Sequence, residues 1–537
     1  MRENGCGNKL SQKWFGRLIS VFLVLTILLG ILPISVFAAQ DSDTLSDIQG
    51  ISTAKNHQSG SLSDFYNVED ITTLSDDGAA SSAPAISNNA YQIGTAAELA
   101  WFASAINDGT ATTQDAVLTT NIDLDNQEWT PIGNDDYPYE GSFDGANHTV
   151  HNLSITKGAM YTALFGYQDS GEIKNLTVDG TIAINGYSVT DEDESYVYAA
   201  GIVGWACGNV LNCTNNVNIT LTGVELEKGA ATAGGICGTL GSIRTGSVVV
   251  GCVNNGNISC EVNPKSSQYG TVDVAGIVGS QFNLSKVEAS YNSGSVNAHL
   301  TGFGKARYGG ISNVVGTTSV NVNNCYNTGV ISGSVASGIG SYTLSGGALV
   351  GGFGGTVYPT NCAYLSGTYT GTGMSNMSGQ SIADEISGIS AKTADELKSA
   401  AFLAALNSAA PITDYTVTWV AGADGYPTIS NIQAAAGIKS FTVAGVNATI
   451  DQKAHMITAE LPAGTDLTNL VPTIVCFANA TSTPASGVAQ NFTKPVTYTA
   501  GGVSYTVTLT VAEPDFLGSG TQDDPYKVSN AELLLKL

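Results

Sequence analysis

A glycine-rich pattern recurs along the middle of this chain and constrains its fold more than any other feature. Gly201-Ile202-Val203-Gly204 leads to Asn212-Cys213-Thr214-Asn215, and similar pairs of segments recur between residues 160 and 370. The positions that correspond to Cys213 lie 39, 38, 35 and 37 residues apart, at Cys252, Ser290, Cys325 and Cys362. Self-similarity at such a period predicts stacked copies of one small structural unit.

Each copy is predicted to contain three short strands that form one triangular coil of a right-handed parallel β-helix. Equivalent residues of adjacent coils then stack about 4.8 Å apart. Glycine permits sharp corners, and Asn side chains can hydrogen-bond from coil to coil. The column that contains Cys213 and Cys252 also holds Leu176 and Ser290, so it favours small or apolar inward side chains. We therefore expect free thiols there, with a disulfide between Cys213 and Cys252 as the alternative.

An amphipathic helix is predicted at each end of the repeats, and together they define a β-helix unit over residues 89–430. Thr95 and Glu98 form a capping-box pattern at the first helix. The helical stripe that follows consists of Leu99, Phe102 and Ile106. Thr393 precedes the second helix, predicted over residues 394–406. Such helices are expected to cover the coil ends, where apolar core and unpaired backbone are otherwise exposed.

The rest of the chain divides into four segments. Residues 1–38 have the basic start, apolar stretch and small residues of a signal peptide cut after Ala38 or Ala39, with a long basic region typical of Gram-positive bacteria. Residues 39–88 are rich in Ser, Asp, Ala and Thr and are predicted to be a disordered linker. Residues 437–512 alternate in the manner of a β-sandwich. Residues 515–537 repeat the start of the β-helix unit, which predicts a second, truncated unit and a longer native protein.

Composition limits the partners of the chain. Charged residues make up only 12% of it, and the formal net charge is −25 at pH 7. A field of this sign repels nucleic acid and anionic lipid, so neither is an expected partner. After the signal peptide no apolar stretch is long enough to span a bilayer, so no membrane insertion is expected after processing. We expect a protein that is secreted or displayed at the cell surface.

Several motifs between residues 90 and 430 occur in an order that resembles the GLUG-motif β-helix repeat proteins of the bacterial cell surface. They are Ala97-Glu98-Leu99-Ala100-Trp101-Phe102, Trp129-Thr130-Pro131-Ile132-Gly133, Gly141-Ser142-Phe143-Asp144-Gly145 and Leu164-Phe165-Gly166. The region is similar to the non-catalytic repeat region of IgA-specific metallopeptidases. Residues 437–512 resemble an Ig-like module of bacterial surface proteins, through Leu461-Pro462-Ala463-Gly464-Thr465 among other segments. The resemblances imply an all-β protein with a surface role, often adhesive or spacing.

Patterns that would carry catalysis or bind a metal are weak. The His-Glu-x-x-His pattern of zinc metallopeptidases does not occur, and His148 and His151 are spaced for opposite faces of a strand. Acidic residues gather at 135–144 and at 191–194, and the second group has no pattern of ligand spacing. The first group falls in the Gly-Ser-Phe-Asp-Gly motif, where Asp144 is expected to cap a turn. We expect no enzymatic activity, no cofactor and no metal, with weak calcium binding left open. The alternative is a polysaccharide-active β-helix enzyme, a lyase or hydrolase, which needs convergent carboxylates.

Tyrosines in or beside the long loops are the candidate ligand-binding residues, since exposed aromatic rings can stack on sugars or form protein hot spots. The candidates are Tyr137, Tyr139, Tyr187, Tyr196, Tyr198, Tyr269 and Tyr308. The alternative is that several of these rings cover coil corners. The sequence thus predicts a non-catalytic adhesin or spacer, whose β-helix presents a binding face to a host or environmental glycan or protein.

Overall fold

The structure is a computed structural model. It describes residues 83–189, 196–227, 229–242, 246–265, 270–282, 284–314, 321–354, 359–384, 388–452, 454–477, 480–512 and 520–528. The signal peptide, nearly all of the predicted linker, Tyr269, the acidic run at 191–194 and most of the segment 515–537 lie outside these residues. Within them, no helix has the length and apolar composition that crossing a membrane requires.

The larger part of the protein is a parallel β-solenoid whose coils contribute to four sheets. We name the sheets S1 to S4 in the order in which the chain passes through them within one coil. In one such coil, the strands of S1 to S4 are Tyr196–Ala200, Val203–Ala206, Asn209–Leu211 and Thr214–Leu226. Parallel pairing joins each coil to the next along every sheet. In S2, for example, Val203 pairs with Cys237, and Cys237 pairs with Val278.

The strands of each sheet follow one another along the solenoid. S1 contains Tyr161–Thr162, Tyr196–Ala200, Ala230–Gly234, Thr271–Ala275, Gly304–Gly309 and Tyr342–Gly347. S2 contains Phe165–Gln168, Val203–Ala206, Cys237–Leu240, Val278–Gln281, Ser312–Val314, Val350–Phe353, Met374–Asn376 and Ser381–Ile382. S3 contains Ala85–Ser87, Ala90–Ile93, Asp115–Leu118, Phe143–Asp144, Glu172–Lys174, Asn209–Leu211, Val248–Val250, Lys286–Glu288 and Asn321–Asn323. S4 contains Ile122–Asp123, Thr149–Ile155, Thr177–Asn185, Ser188–Val189, Thr214–Leu226, Val253–Asn254, Ile258–Pro264, Tyr291–Asn292, Val296–Leu300, Tyr326–Asn327, Ile331–Val335, Cys362–Leu365 and Ile389–Lys392.

Each coil has four walls where the sequence analysis predicted three, because a further strand, that of S1, precedes the glycine motif. The first glycine of the motif then forms the corner between S1 and S2. Gly201 separates the strand of S1 from the strand of S2. A Cβ atom at Gly201 would lie 1.8 Å from Oδ1 of Asn215, and Gly235 packs against Asn254 in the same way one coil later. The glycine and the asparagine of a repeat therefore occur together because the glycine leaves room for the amide group.

A buried asparagine ladder runs along S4 and confirms the predicted hydrogen bonding between coils. The side-chain amides of Asn215, Asn254 and Asn292 each donate to Oδ1 of the equivalent asparagine in the next coil at 2.7 Å. The ladder ends at Asn327, and all four residues are fully buried. Because every rung needs its partner in register, the ladder helps to fix the alignment of the coils.

The cysteine column beside the ladder contains free thiols, as predicted, and the alternative disulfide does not form. Its members Cys213, Cys252, Cys325 and Cys362 are free and buried. The backbone N–H of Cys213 donates to Sγ of Cys252 at 3.5 Å. Burial raises the pKa of the Cys252 and Cys325 thiols well above the ordinary value. The column thus fills a narrow interior with small, neutral side chains.

Helix α1, Ala96–Asn107, packs on the first strands of the solenoid, as the sequence predicted. The predicted stripe of Leu99, Phe102 and Ile106 is fully buried in the main core. Oγ1 of Thr95 accepts the backbone N–H of Glu98 at 3.2 Å, and the Glu98 carboxylate accepts the N–H of Gly94 at 2.8 Å.

Two helices follow the last coil where the sequence predicted one. Helix α2 is Ala394–Leu397, with a complete capping box at Thr393, and helix α3 is Ala400–Ser408. Together with the antiparallel hairpin Tyr415–Ala421 and Pro427–Ala434, they pack on the outer side of the solenoid. The covered residues there belong to three successive coils and are Ala289, Tyr326 and Ala363. The helices that follow the repeats therefore lie against the outer wall of the last coils, where Phe402 of α3 contacts the ring of Tyr326.

The C-terminal part contains two sheets that share a separate core. The three-stranded sheet consists of Ile438–Val443, Val446–Asn447 and Thr473–Cys476. The five-stranded sheet consists of Thr449–Asp451, Met456–Leu461, Ser482–Thr483, Val496–Ala500 and Val503–Val511. A short 3-10 helix spans Leu467–Asn469. Phe441 of the first sheet packs against Tyr498 of the second, with ring centroids 5.3 Å apart.

Candidate ligand-binding site

Three of the tyrosines expected to be exposed are buried, which corrects that expectation. Tyr139 is fully buried between the rings of Phe102 and Phe165, because its ring fills the core beneath α1. Tyr308 also belongs to the main core, where Gly333 leaves space for its ring. Tyr198 is only 8% exposed and lies in a second, smaller cluster described below.

Tyr137 and Tyr187 are partly buried and lie at separate places on the solenoid. The ring of Tyr137 rests on Gly109, directly after α1, and the ring of Tyr187 rests on Gly158. Both positions fit the alternative that these rings cover coil corners. The structure does not bring them together with Tyr196, the remaining candidate among the described residues.

Aromatic side chains gather on the outer faces of S1 and S2, and we call this group the aromatic cluster. Its members are Tyr161, Tyr167, Tyr196, Tyr198 and Trp205. Neighbouring residues of the same strands, such as Val197 and Ala199, point into the main core, so the cluster faces the opposite way. The sequence analysis identified only Tyr196 and Tyr198. The register shows the missed signal, since Tyr161 pairs with Tyr198 and Tyr167 pairs with Trp205 in adjacent coils.

The rings of the aromatic cluster support one another. The centroids of Tyr161 and Tyr198 are 5.5 Å apart, and Trp205 lies 5.0 Å from Tyr198. The indole N–H of Trp205 donates to the Gly241 carbonyl of the next coil at 3.1 Å, which fixes the ring. Tyr161, Tyr167 and Tyr198 are buried, whereas Tyr196 and Trp205 are partly exposed. Rigid, partly exposed rings on a buried aromatic base are suited to stacking against a flat ligand.

Two carboxylates border the aromatic cluster. The hydroxyl of Tyr161 donates to Oδ1 of Asp135 at 2.6 Å, and the hydroxyl of Tyr167 donates to Oδ1 of Asp169 at 3.3 Å. Burial, reinforced by these carboxylates, raises the pKa of both tyrosine hydroxyls far above the ordinary value. The phenols therefore stay protonated, and the site combines apolar ring surface with fixed acceptors.

The aromatic surface is short. In the next coil the residue that pairs with Tyr198 is Thr232, and the residue that pairs with Trp205 is Thr239. The hydroxyls of Thr232 and Thr239 lie 3.2 Å apart and are buried. This contact shows that the outer faces of S1 and S2 meet in an inside corner, so the aromatic cluster occupies one end of a crease.

The acidic residues considered as catalytic or metal-binding candidates have structural explanations or remain dispersed. Oδ1 of Asp144 accepts the backbone N–H of Ala146 at 2.8 Å and the side-chain amide of Asn175 at 2.9 Å, which confirms its turn-capping role. Burial and the nearby Asp169 carboxylate raise the pKa of Glu140. Within the parts of the chain that the structure describes, no group of three His, Cys, Asp or Glu side chains could hold a metal ion.

One segment of the chain matches the model of a known protein family. Residues 438–512 match the family model described as SGBP, N-terminal, the N-terminal domain of surface glycan-binding proteins. This match covers the two-sheet C-terminal part and leaves the solenoid unassigned. No curated protein matches the sequence.

Two solved structures show partial likeness. A candidate immunoglobulin A1 protease from Bacteroides ovatus is 20% identical, with 63% of this chain and 92% of that chain covered and a TM-score of 0.43. A candidate glycoside hydrolase from Bacteroides thetaiotaomicron is 25% identical over 18% of this chain and 33% of that chain, with a TM-score of 0.14. Both TM-scores are low, so neither likeness supports a functional conclusion.

Proposed function

We propose that this chain is a non-catalytic, secreted or cell-surface glycan-binding protein and that the aromatic cluster is its binding site. The observation that carries the proposal is the position of Tyr196 and Trp205, which are partly exposed above buried tyrosines that donate to Asp135 and Asp169. The match of residues 438–512 to a family of surface glycan-binding proteins supports it independently.

The chemistry of the aromatic cluster suits a sugar better than a peptide side chain. A sugar ring has apolar C–H faces and a polar rim of hydroxyls. An aromatic face contacts the first, and a carboxylate accepts hydrogen bonds from the second. Trp205 and Tyr196 supply the aromatic surface, and Asp135 and Asp169 supply acceptors next to it. The remaining candidates Tyr137 and Tyr187 lie apart from this arrangement and are not included in the proposed site.

In this proposal, the solenoid and the C-terminal part have different roles. The β-helix unit of residues 89–430 presents the glycan site on a stiff, hydrogen-bonded wall, since its coils are joined by continuous parallel sheets. The Ig-like module of residues 437–512 acts as the spacer. The signal peptide of residues 1–38 directs export.

Binding of polysaccharides by the purified secreted chain tests the proposal. Affinity electrophoresis against a panel of plant, microbial and host glycans should identify a retarding ligand. Trp205→Ala and Tyr196→Ala should each weaken binding by about tenfold or more, because truncation of an aromatic hot spot typically costs about 2 kcal/mol. Tyr342→Ala is the matched control, since Tyr342 is an exposed aromatic residue of the same sheet several coils away.

Three outcomes distinguish glycan binding at the aromatic cluster from the alternatives. Loss of binding in the Trp205 and Tyr196 variants, with unchanged melting temperatures and an unchanged control, supports the proposal. Binding that survives both substitutions, or no binding to any glycan, overturns it. Release of reducing ends or unsaturated products from the same polysaccharides would favour the lyase or hydrolase alternative.

A further inference from the structure

We infer that residues 410–434 form a strap that makes five successive coils of the solenoid open as one unit. The strap consists of the segment after α3 and the antiparallel hairpin Tyr415–Ala421 and Pro427–Ala434. This inference concerns the mechanics of the solenoid and does not depend on the proposed function.

A solenoid whose coils contact only their neighbours opens one coil at a time. Its stability is then a sum of terms for single repeats and for adjacent pairs, and different coils open with different free energies. An element that contacts several coils at once changes this behaviour, because opening any one of those coils also breaks contacts to that element. The strap makes contacts of this kind along the outer face of S3.

The strap is held near the C-terminal end of S3 by side chains of two adjacent strands. The Glu288 carboxylate accepts the backbone N–H of Thr413 at 2.9 Å and its hydroxyl at 2.6 Å. In the next strand, the side-chain amide of Asn323 donates to the Ala410 carbonyl at 3.4 Å. These bonds fix the beginning of the strap.

The hydroxyl of Tyr415 fixes the strap to a distant coil. It donates to Oε1 of Glu172 at 2.6 Å, and the side chain of Asn209 in the following strand hydrogen-bonds the same hydroxyl. Two strands of S3 lie between the strand of Glu172 and the strand of Glu288. Thr413 and Tyr415, only two residues apart in the strap, therefore hold coils that are not neighbours.

The strands between these two ends are also covered. Leu211 and Val250 pair in adjacent coils and are buried. They face outward, because Val210 beside Leu211 points into the main core. A Cβ atom at Gly251 would lie 1.9 Å from Cδ1 of Ile432 in the hairpin. Contacts of the strap thus continue along S3 from one end to the other.

Trp419 anchors the hairpin against the solenoid. Its side chain is buried, and its ring centroid lies 5.9 Å from that of Tyr326 and 6.1 Å from that of Tyr291. The hydroxyl of Tyr326 also donates to the Pro427 carbonyl. The two strands of the hairpin pair along their length, so the hairpin moves as a single element.

Hydrogen exchange of the purified full chain, measured by mass spectrometry, tests this inference. Trp419→Ala loosens the anchor and should raise the exchange rates of all five S3 strands from Glu172–Lys174 to Asn321–Asn323, by about tenfold or more. The rise should include Glu172–Lys174, several coils from the substituted ring. The strands Ala90–Ile93 and Asp115–Leu118 precede these coils in S3 and should keep their wild-type rates.

A milder variant perturbs the other end of the strap. Tyr415→Phe removes the bond to Glu172, which keeps its ion pair with Lys174 at 3.2 Å. It should raise exchange at Asn321–Asn323 by about the same factor as at Glu172, at least about threefold. Phe441→Ala is the control, because it truncates a buried ring in the C-terminal core and should leave S3 unchanged.

The pattern of exchange decides the outcome. A rise shared by the five strands in both variants supports the strap as a common lock. A rise confined to the coils of Tyr291 and Tyr326 in Trp419→Ala, or to the coil of Glu172 in Tyr415→Phe, overturns the inference and leaves the strap a local cover. Unchanged exchange in both variants, or an equal rise that includes Ala90–Ile93, overturns it as well.

Discussion

Asp273 and Arg307 lie opposite each other in adjacent coils of S1 and form a two-point salt bridge inside the crease. Nε of Arg307 is 2.5 Å from Oδ1 of Asp273, and Nη2 is 2.7 Å from Oδ2. The side chain of Arg307 is only 11% exposed, and that of Asp273 only 2%. The residues that pair with them on either side, Thr232 and Ser345, are uncharged. Each charge therefore depends on the other for its stabilisation in the folded protein.

Removing one member of this pair should destabilise the solenoid strongly. Arg307→Met leaves the Asp273 carboxylate buried without its partner, and we expect a loss of about 3–5 kcal/mol in the free energy of unfolding. The double variant Asp273→Leu with Arg307→Met should recover most of that loss, because no unpaired charge remains. Urea denaturation of the three proteins measures both effects. A single variant that costs less than about 1 kcal/mol would show that solvent reaches the site.

The asparagine ladder offers a second test, with a control at the neighbouring residue. Asn254→Ala removes the rung between Asn215 and Asn292 and leaves buried polar groups on both without their partner. We expect a cost of about 2–4 kcal/mol, since each unsatisfied buried group costs about 1–3 kcal/mol. Asn255 makes a similar bond to Asn216 on the exposed face, at 2.9 Å. Asn255→Ala should therefore change stability by no more than about 0.5 kcal/mol.

The second glycine of the repeat should tolerate no side chain. A Cβ atom at Gly279 would lie 2.6 Å from the Gly238 carbonyl oxygen and 2.7 Å from that of Ala233. Gly279→Ala should lower the unfolding free energy by about 1–3 kcal/mol through overpacking. Gly340→Ala is the control, because Gly340 has open space around it. Equal unfolding midpoints for the two variants would contradict the close approach of S2 to S1.

The sequence predicted the features that repeat with the coil period. The asparagine ladder and the thiol column follow from residues that recur once per coil. The core stripe of α1 was predicted as well, from helical spacing. The S1 strands were missed because their outward positions change identity from coil to coil, from Tyr198 to Asp273 and Arg307. The outward side chains of S1 are buried because S1 and S2 are in contact, and no local sequence pattern reveals that contact. For the same reason Tyr198 was expected to be exposed and the aromatic cluster was only partly identified.

In the C-terminal part, an apolar run of sequence forms a strand that is buried on one face only. The run Ile474-Val475-Cys476-Phe477 is apolar throughout and is typical of a strand buried on both faces. In the structure Ile474 and Phe477 are buried, but Val475 is 49% exposed. Its strand lies at the edge of a three-stranded sheet with only one face on the core. Composition alone does not distinguish such a strand from an interior one.

Glu288 should make stability depend on pH. It is largely buried between the solenoid and the segment before the hairpin, and it accepts the backbone N–H groups of Ile412 at 2.8 Å and Thr413 at 2.9 Å. Burial raises its pKa above the ordinary value of 4.5, even though the hydrogen bonds from Thr413, Ile412 and Asn323 act in the opposite direction. The folded state thus holds this proton more tightly than the unfolded state does.

The sign of the effect follows from linkage. Because the folded pKa of Glu288 is the higher one, its contribution is fully present below the unfolded pKa and is lost as pH rises through the folded value. Glu288→Gln removes this loss, so the stability of the variant relative to the wild type should increase from pH 4.5 to pH 7. Urea midpoints at several pH values measure the difference. Glu460→Gln, at an exposed position in the C-terminal part, is the control variant. A relative stability of Glu288→Gln that falls with rising pH would mean that the hydrogen bonds outweigh burial.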